Sequence, residues 1–283
     1  MFYSNNYRCI CNTSGSGKTR RILEGLTKYW GFYLVASLDG VGIRDLRNAL
    51  DSVTRDREWV GDLRGVSPEK RAAQNDVNSR IACRAFQKVL AARIVVFQLF
   101  LELAIQVDGR LQERHKRIWL LFQLFEPRGG DEHSFIRIFK KLRHASDEAL
   151  DFLVEGLEPI IKKYFPFSQF ILGLDEAQRA ARLYPYSGIS CPNAEVFRSI
   201  IREMVKVFGE APIKLVVSST SLPLADLIED TISYEVQVFH ELGMFDTWPK
   251  LKRFLERYVP ASILETPSGH RLQQRMREYL LGR

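Results

Sequence analysis

The segment Asn12-Thr13-Ser14-Gly15-Ser16-Gly17-Lys18-Thr19 stands between an apolar run, Tyr7 to Asn12, and a helical pattern from about Thr19 to Tyr29. It matches the pattern G-x-x-x-x-G-K-[ST] except that Asn12 replaces the first glycine. Asparagine is one of the few residues that tolerate a left-handed backbone, so this departure is mild. A strand, a glycine-rich loop and a helix in this order predict a phosphate-binding P-loop, the Walker A motif.

The residue types in this loop fit the chemistry of phosphate binding. Backbone N–H groups from about Ser14 to Thr19 must wrap a β-phosphate closely at the positive end of a helix, and glycines permit that approach. Lys18 is expected to bridge the β- and γ-phosphates of ATP, and the Thr19 hydroxyl to bind Mg²⁺. The alternative is a glycine- and serine-rich turn that precedes Lys-Thr by chance. The predicted nucleotide-binding set is Asn12, Thr13, Ser14, Gly15, Ser16, Gly17, Lys18, Thr19 and Arg20.

A second motif is the apolar run Phe170-Ile171-Leu172-Gly173-Leu174, which ends in Asp175-Glu176 and has the form of a Walker B segment. A carboxylate at the end of a strand can hold the Mg²⁺ shell, so Asp175 and Thr19 are the predicted metal residues. Glu176 is the predicted residue that polarises the attacking water. The alternative is a strand followed by an acidic helix cap.

A third apolar run, Lys214 to Val217, leads into Ser218-Ser219-Thr220. In P-loop ATPases with a strand inserted between those bearing Walker A and Walker B, a polar side chain at this strand end senses the γ-phosphate. Ser219 or Thr220 could take that role, although clusters of Ser and Thr after strands are also ordinary turns. Gln178 either faces the nucleotide or points to solvent. The predicted catalytic set is Lys18, Glu176 and Ser219.

The strand pattern indicates an α/β layered fold. Several of the apolar runs are continuous rather than alternating, which is typical of strands covered on both faces in a parallel sheet, and helical patterns separate them. The predicted domains are a core over residues 1–245, with a helical insertion at about 66–165, and a C-terminal helical segment over 246–283. The predicted strands are Tyr7 to Asn12, Phe32 to Ser37, Gln169 to Asp175, Ile213 to Ser219 and Tyr234 to Phe239.

The insertion is expected to contain a long helix capped by Asp76 and ended by Asp108-Gly109, followed by a helical pattern from Leu111 to Phe125. Arg93 and other polar residues interrupt its most apolar part, which favours a core helix over a membrane span. The apolar stripe expected to be buried consists of Ile94, Phe97, Leu101 and Ile105, widened by Val95, Leu99 and Leu103. After the last strand, Thr247 to Tyr258 and Arg271 to Leu281 read as helices separated by the turn-rich Pro260 to Gly269.

Composition indicates an ordinary folded protein that works inside the cell. Hydrophobic residues make up 46% and charged residues 27% of the chain, with 41 Lys and Arg against 34 Asp and Glu, a net charge of +7. This charge favours acidic partners only mildly, so nucleic acid stays a minor hypothesis. Cys9 and Cys11 face one side of a predicted strand and favour buried small side chains over zinc ligands. No signal peptide is visible at the N-terminus.

The chain resembles the P-loop ATPase domain of Crinkler-type effectors and related fungal proteins, on the AAA/STAND side of the P-loop ATPases. The resemblance rests on Thr13 to Arg20, on the LDEAQ segment Leu174 to Gln178 and on VVSSTSL at Val216 to Leu222. It implies the strand order 5-1-4-3-2 in a five-stranded parallel sheet, ATP binding at the P-loop, and a regulatory domain that is often joined to a nuclease or other effector. The C-terminal helices are then expected to be the start of a lid.

Two other functions remain open at this stage. The DEAQ and SST segments are also similar to helicase motifs that couple hydrolysis to strand separation, although a second RecA-like domain is lacking. Alternatively, the chain is an interaction module that binds nucleotide without turnover and contacts a protein partner through its helical region. A water-polarising Glu176 argues against a pure binder.

Overall fold

The computed structural model describes residues 7–11, 16–37, 42–125, 132–189, 197–210, 212–220, 236–239, 247–256 and 259–280. Asn12, Thr13, Ser14 and Gly15 of the predicted P-loop lie outside these ranges, as do Ser221 and Leu222 of the third motif.

The described chain forms a mixed α/β fold around a five-stranded sheet in which every pair of neighbouring strands is parallel. Numbering the five strands by their order in the chain gives 5-1-4-3-2 across the sheet, the expected order. The α/β class, the parallel sheet and the large helical insertion are confirmed. The strands of this sheet are β1 (Tyr7–Cys11), β2 (Trp30–Val35), β3 (Phe170–Asp175), β6 (Lys214–Ser219) and β7 (Val236–Phe239).

Helices cover both faces of the sheet, as the continuous apolar strands predict. In β2, successive side chains point to opposite faces. Phe32 and Leu34 join the larger hydrophobic cluster, which contains much of the insertion. Tyr33 and Val35 join a smaller cluster with residues of the helix that follows β1, α1 (Lys18–Lys28). Each face of the sheet therefore has its own buried layer.

The insertion lies between β2 and β3 and is helical. Its long helix, α3 (Pro68–Asp108), lies against three others, α2 (Asp45–Val53), α5 (Ser134–Lys141) and α6 (Asp147–Glu155). Two short 3₁₀ turns, Leu63–Gly65 and Leu142–His144, connect helices in this region. The helices between the two strands are α2 (Asp45–Val53), α3 (Pro68–Asp108), α4 (Glu113–Leu124), α5 (Ser134–Lys141), α6 (Asp147–Glu155) and α7 (Leu157–Tyr164).

The long helix begins earlier than predicted. Its N-cap is Ser67, with proline at the first helical position, so Asp76 lies inside the helix and the predicted cap is wrong. Proline is well suited to that first position because the N–H it lacks has no intrahelical partner there. The other end is as predicted, since the helix stops at Asp108 and Gly109 takes φ 72°.

The burial of α3 corrects the predicted stripe. Leu101 is fully buried, whereas Leu99 is 57% and Leu103 58% exposed, so the expectation that these two leucines widen the buried face is wrong. By length and composition α3 could cross a membrane, but 56% of its most apolar window is buried within the protein. Burial of Leu90, Ile94, Phe97 and Leu101 fits a helix that contributes to the core.

The chain after β3 adds a small sheet that the sequence did not indicate, and it has helices at Trp248–Leu255 and Pro267–Leu280, where the two C-terminal helices are predicted. Two short antiparallel strands, β4 (Gly188–Ile189) and β5 (Phe197–Arg198), pair with each other. The region Pro260 to Gly269 is more helical than predicted, because it contains α11 (Ala261–Leu264) and the start of α12 (Pro267–Leu280). The helices among the described residues of this part are α8 (Ala177–Leu183), α9 (Ile201–Glu210), α10 (Trp248–Leu255), α11 (Ala261–Leu264) and α12 (Pro267–Leu280).

Candidate nucleotide site

The candidate site lies at the carboxyl ends of the central parallel strands, where ligands of open α/β sheets commonly bind. Helix α1 starts just beyond β1, Asp175 is the last residue of β3, and Ser219 is the last residue of β6. Because β6 lies between β1 and β3, side chains from all three strand ends meet at one edge of the sheet. The first two sequence motifs are thereby brought into contact.

Asp175 is the centre of this cluster and is only 1% exposed. Its Oδ2 accepts hydrogen bonds from Thr19 Oγ1 at 2.6 Å and from the Tyr33 hydroxyl at 2.9 Å. Its Oδ1 accepts from Ser218 Oγ and from the backbone N–H of Glu176, the latter at 3.0 Å. A buried carboxylate is costly unless donors satisfy it, and within the described residues these groups supply them.

Burial keeps the Tyr33 phenol protonated. Tyr33 is fully buried, and its pKa is raised first by this burial and then by the nearby Asp175 carboxylate. The phenol therefore remains a hydrogen-bond donor to Asp175 throughout the neutral pH range.

The start of α1 combines a left-handed glycine with a buried lysine. Gly17 is the N-cap residue with φ 86°, a conformation that residues with a Cβ rarely adopt. The next residue, Lys18, is 5% exposed and interacts electrostatically with the carboxylates of Glu176 and Asp175. Burial lowers the pKa of Lys18, while the Glu176 and Asp175 carboxylates oppose that shift. The hydroxyl of Ser16 is buried without a hydrogen-bond partner among the described residues.

Glu176 adopts an unusual backbone conformation. Its φ is 57°, the one positive φ among the described residues other than glycine. Left-handed backbone of this kind costs roughly 1–2 kcal/mol in a residue with a side chain, and such residues concentrate at functional sites. The Glu176 N–H donates to Asp175 Oδ1 at 3.0 Å, and Gln178 Nε2 donates to the Glu176 carboxylate at 2.6 Å.

Gln178 is buried, so a solvent-facing position is wrong for it. Besides donating to Glu176, it accepts a hydrogen bond at its Oε1 from the backbone N–H of Thr220 at 3.2 Å. It thus joins the Walker B-like segment to the residue after β6. The predicted sensor Ser219 is fully buried beside Cys11 in the sheet register, whereas its neighbour Ser218 contacts Asp175.

Arg20 lies on α1 and forms an ion pair with Glu24 at 2.7 Å, one turn along the helix. This pair is partly exposed. The predicted role of Arg20 in nucleotide binding stays a prediction.

The donor set fits Mg²⁺ better than a transition metal. No group of three or more His, Cys, Asp or Glu side chains suited to a metal lies among the described residues. Mg²⁺ is usually held by one or two oxygen side chains together with phosphates and water. Because the Thr19 hydroxyl donates its hydrogen bond to Asp175, the oxygen lone pairs remain available to a cation. Cys9 and Cys11 lie with their sulfurs 3.2 Å apart within the sheet.

Sequence reasoning identified Thr19, Asp175, Lys18 and Glu176, which the structure places in one cluster, but it missed the hydrogen bonds from Tyr33 and Ser218. Ser218 stands in the third motif, and its position one residue before the strand end gave a signal. Tyr33 lies inside an apolar strand, and nothing in the sequence around it indicates a contact with Asp175.

Comparisons with family models, with curated proteins and with solved structures find no match to this chain. The case for its function therefore rests on the site.

Proposed function

We propose that this chain binds ATP with Mg²⁺ at the start of α1 and hydrolyses it, acting as a switch ATPase of the AAA/STAND kind. The observation that carries the proposal is the 2.6 Å hydrogen bond from Thr19 to Asp175, which joins residues 156 positions apart in the sequence. Two motifs recognised independently, one for phosphate and one for the metal, are adjacent in space. The buried Lys18 and the left-handed Gly17 support the same assignment.

Each residue of the site has its own role in this proposal. Backbone N–H groups at the start of α1 bind the β-phosphate, and Lys18 neutralises charge on the β- and γ-phosphates. Thr19 and Asp175 would hold Mg²⁺, which supplies charge neutralisation to the phosphates. Glu176 orients and polarises the attacking water, and Gln178 fixes the Glu176 carboxylate.

Replacing Lys18 tests the binding step. Lys18→Ala is expected to abolish measurable ATP binding in calorimetry with Mg²⁺ present, because the ammonium is the main point charge on the phosphates. Lys28→Ala is the matched control, since it removes the same charge from the exposed far end of α1. Equal ATP affinity in wild type and Lys18→Ala would remove the P-loop assignment.

The helicase-like alternative is less well supported by the fold. The described residues form one large parallel sheet, and their second sheet is a two-stranded antiparallel pair. The contact of Gln178 with Thr220 does join the DEAQ and SST segments, as a coupled ATPase would need. An ATPase rate that rises when single-stranded RNA or DNA is added would favour the helicase-like function.

A further inference from the structure

The helical insertion reaches the candidate site through the edge of the sheet. Strand β2 is the edge strand next to β3, and edge strands carry unpaired backbone groups that need cover. In this protein, side chains of the insertion form hydrogen bonds with these backbone groups of β2. Trp119 Nε1 and Gln123 Nε2 donate to the Gly31 carbonyl at 2.8 and 3.2 Å, and Gln123 Oε1 accepts from the Tyr33 N–H at 3.0 Å.

A buried ion pair completes this edge. Arg93 of α3 donates to the Tyr33 carbonyl at 2.7 Å and to Gln123 Oε1 at 2.9 Å. The same guanidinium makes a two-point contact with Asp45 of α2, at 2.7 and 2.8 Å, and both side chains are fully buried. A desolvated bidentate pair has little freedom to move, so three helices of the insertion fix the backbone of Tyr33 on both of its polar atoms.

The side chain of Tyr33 connects this fixed backbone to the site. It passes through the cluster formed with Ile22, Leu26 and Leu120 and ends with its hydroxyl 2.9 Å from Asp175 Oδ2. The same oxygen accepts from Thr19. Tyr33 therefore contacts the carboxylate at the atom that faces the other predicted metal residue.

We propose that Tyr33 is a positioning residue for Mg²⁺, and that the helical insertion sets its position through Arg93 and Gln123. The proposal rests on the proposed function, because it assigns Asp175 to the metal. Tyr33 holds the Asp175 carboxylate in a single orientation, so Mg²⁺ meets a preformed site. A shift of the insertion changes the metal affinity of the nucleotide site without touching the nucleotide.

Tyr33→Phe tests the first half of this proposal, because it keeps the ring and removes only the hydroxyl. A hydrogen bond to a charged group contributes about 1.5–3 kcal/mol, so the Mg²⁺ concentration for half-maximal ATP binding should rise roughly tenfold or more. ATP affinity in EDTA should stay unchanged, since the Tyr33 hydroxyl donates to Asp175, a predicted metal residue. Tyr184→Phe is the matched control, as its hydroxyl meets the Leu50 carbonyl at 3.5 Å away from the site.

Gln123→Ala tests the role of the insertion, since Gln123 lies on α4 and its amide contacts Gly31, Tyr33 and Arg93. The Mg²⁺ requirement should rise in the same direction as in Tyr33→Phe, by a smaller factor. If Gln123→Ala does not fold, Gln123→Met keeps the length of the side chain while removing the acceptor for Tyr33 and Arg93, and should show the same direction of change.

Three results would overturn the inference, and they are distinguishable. A lower melting temperature in Tyr33→Phe with an unchanged Mg²⁺ requirement would make Tyr33 purely structural. A change in Tyr33→Phe with none in either Gln123 variant would remove the role of the insertion. A wild-type protein without Mg²⁺-dependent ATP binding would remove the proposed function and this inference together.

Discussion

Asp175 and Glu176 are consecutive carboxylates in contrasting surroundings. Asp175 is buried and accepts hydrogen bonds on both oxygens, so its orientation is fixed by its neighbours. Glu176 is partly exposed, and its side chain accepts a hydrogen bond from Gln178. A fixed carboxylate suits a metal shell, whereas one with access to solvent suits the activation of water. The two residues are thereby separated into different roles.

Glu176→Gln separates binding from turnover. The amide keeps the shape of the side chain but cannot polarise water, so the hydrolysis rate should fall by about 10² or more, the usual size for losing a positioned base. ATP affinity should stay within a few-fold of wild type. Phosphate release and calorimetry measure the two quantities. An unchanged rate would move the catalytic role to another residue, and no hydrolysis by wild type would favour a nucleotide binder without turnover.

The residues of the site differ in how far the sequence predicts them. Lys18 and Thr19 are predictable because their spacing from the glycines is local, and Asp175 because it ends a buried strand. The contact of Tyr33 with Asp175 crosses 142 positions and depends on the register of β2 against β3. A tyrosine inside an apolar strand has the same sequence appearance whether its hydroxyl meets a carboxylate or a carbonyl.

At the scale of elements, α1 is held close to the sheet by Gly173. A Cβ added at Gly173 of β3 would come within 2.2 Å of Ile22 Cγ2 on α1. Real Cβ contacts are essentially never so short, so a side chain at this position requires a shift of Ile22 or of α1 as a whole. The same helix carries Lys18 and Thr19, so its seating on β3 determines their distance from Asp175.

Gly173→Ala should therefore affect both stability and nucleotide binding. Overpacking of this kind costs about 1–3 kcal/mol, and displacement of α1 should weaken Mg²⁺-dependent ATP binding. Gly25→Ala on α1 is the matched control, because its Cβ would meet Ile171 at an ordinary 3.9 Å and should stabilise the helix by ~0.5–1 kcal/mol. Denaturation and calorimetry measure both effects. Normal binding in Gly173→Ala would mean that the site tolerates a shift of α1.

The two ends of α3 differ in how well the local sequence predicts them. The end of α3 is predictable because Gly109 adopts the left-handed conformation that glycine favours after a helix. Its start was missed because Asp76 has the chemistry of a cap, while the true N-terminus is marked by Ser67-Pro68. Both Ser67 and Asp76 are residue types that cap helices, and the helical pattern continues through both positions, so propensity alone does not determine which of them is the cap.

At the scale of the molecule, sheet and insertion share one core. The larger cluster joins Phe32 and Leu172 of the sheet to Phe97 and Leu101 of α3, so the insertion is packed against the strands that carry the site. Periodicity predicted this amphipathic helix but could not determine the width of its buried face, because the boundary depends on which neighbours pack beside it. Leu99 and Leu103 fall on the exposed side of that boundary.

Two leucines of α3, two residues apart, test directly which face of the helix is buried in the core. Leu101 is fully buried and Leu99 is 57% exposed, so the same substitution meets opposite surroundings. Leu101→Asp loses buried apolar contacts and places a carboxylate in the core, which should cost more than about 3 kcal/mol and unfold the protein or abolish ATP binding with it. Leu99→Asp should leave a cooperative melting transition and normal ATP affinity. Thermal unfolding followed by circular dichroism, with calorimetry on each variant, measures both. A Leu101→Asp protein that melts like wild type and binds ATP normally would show that α3 is peripheral and that the sheet folds without it.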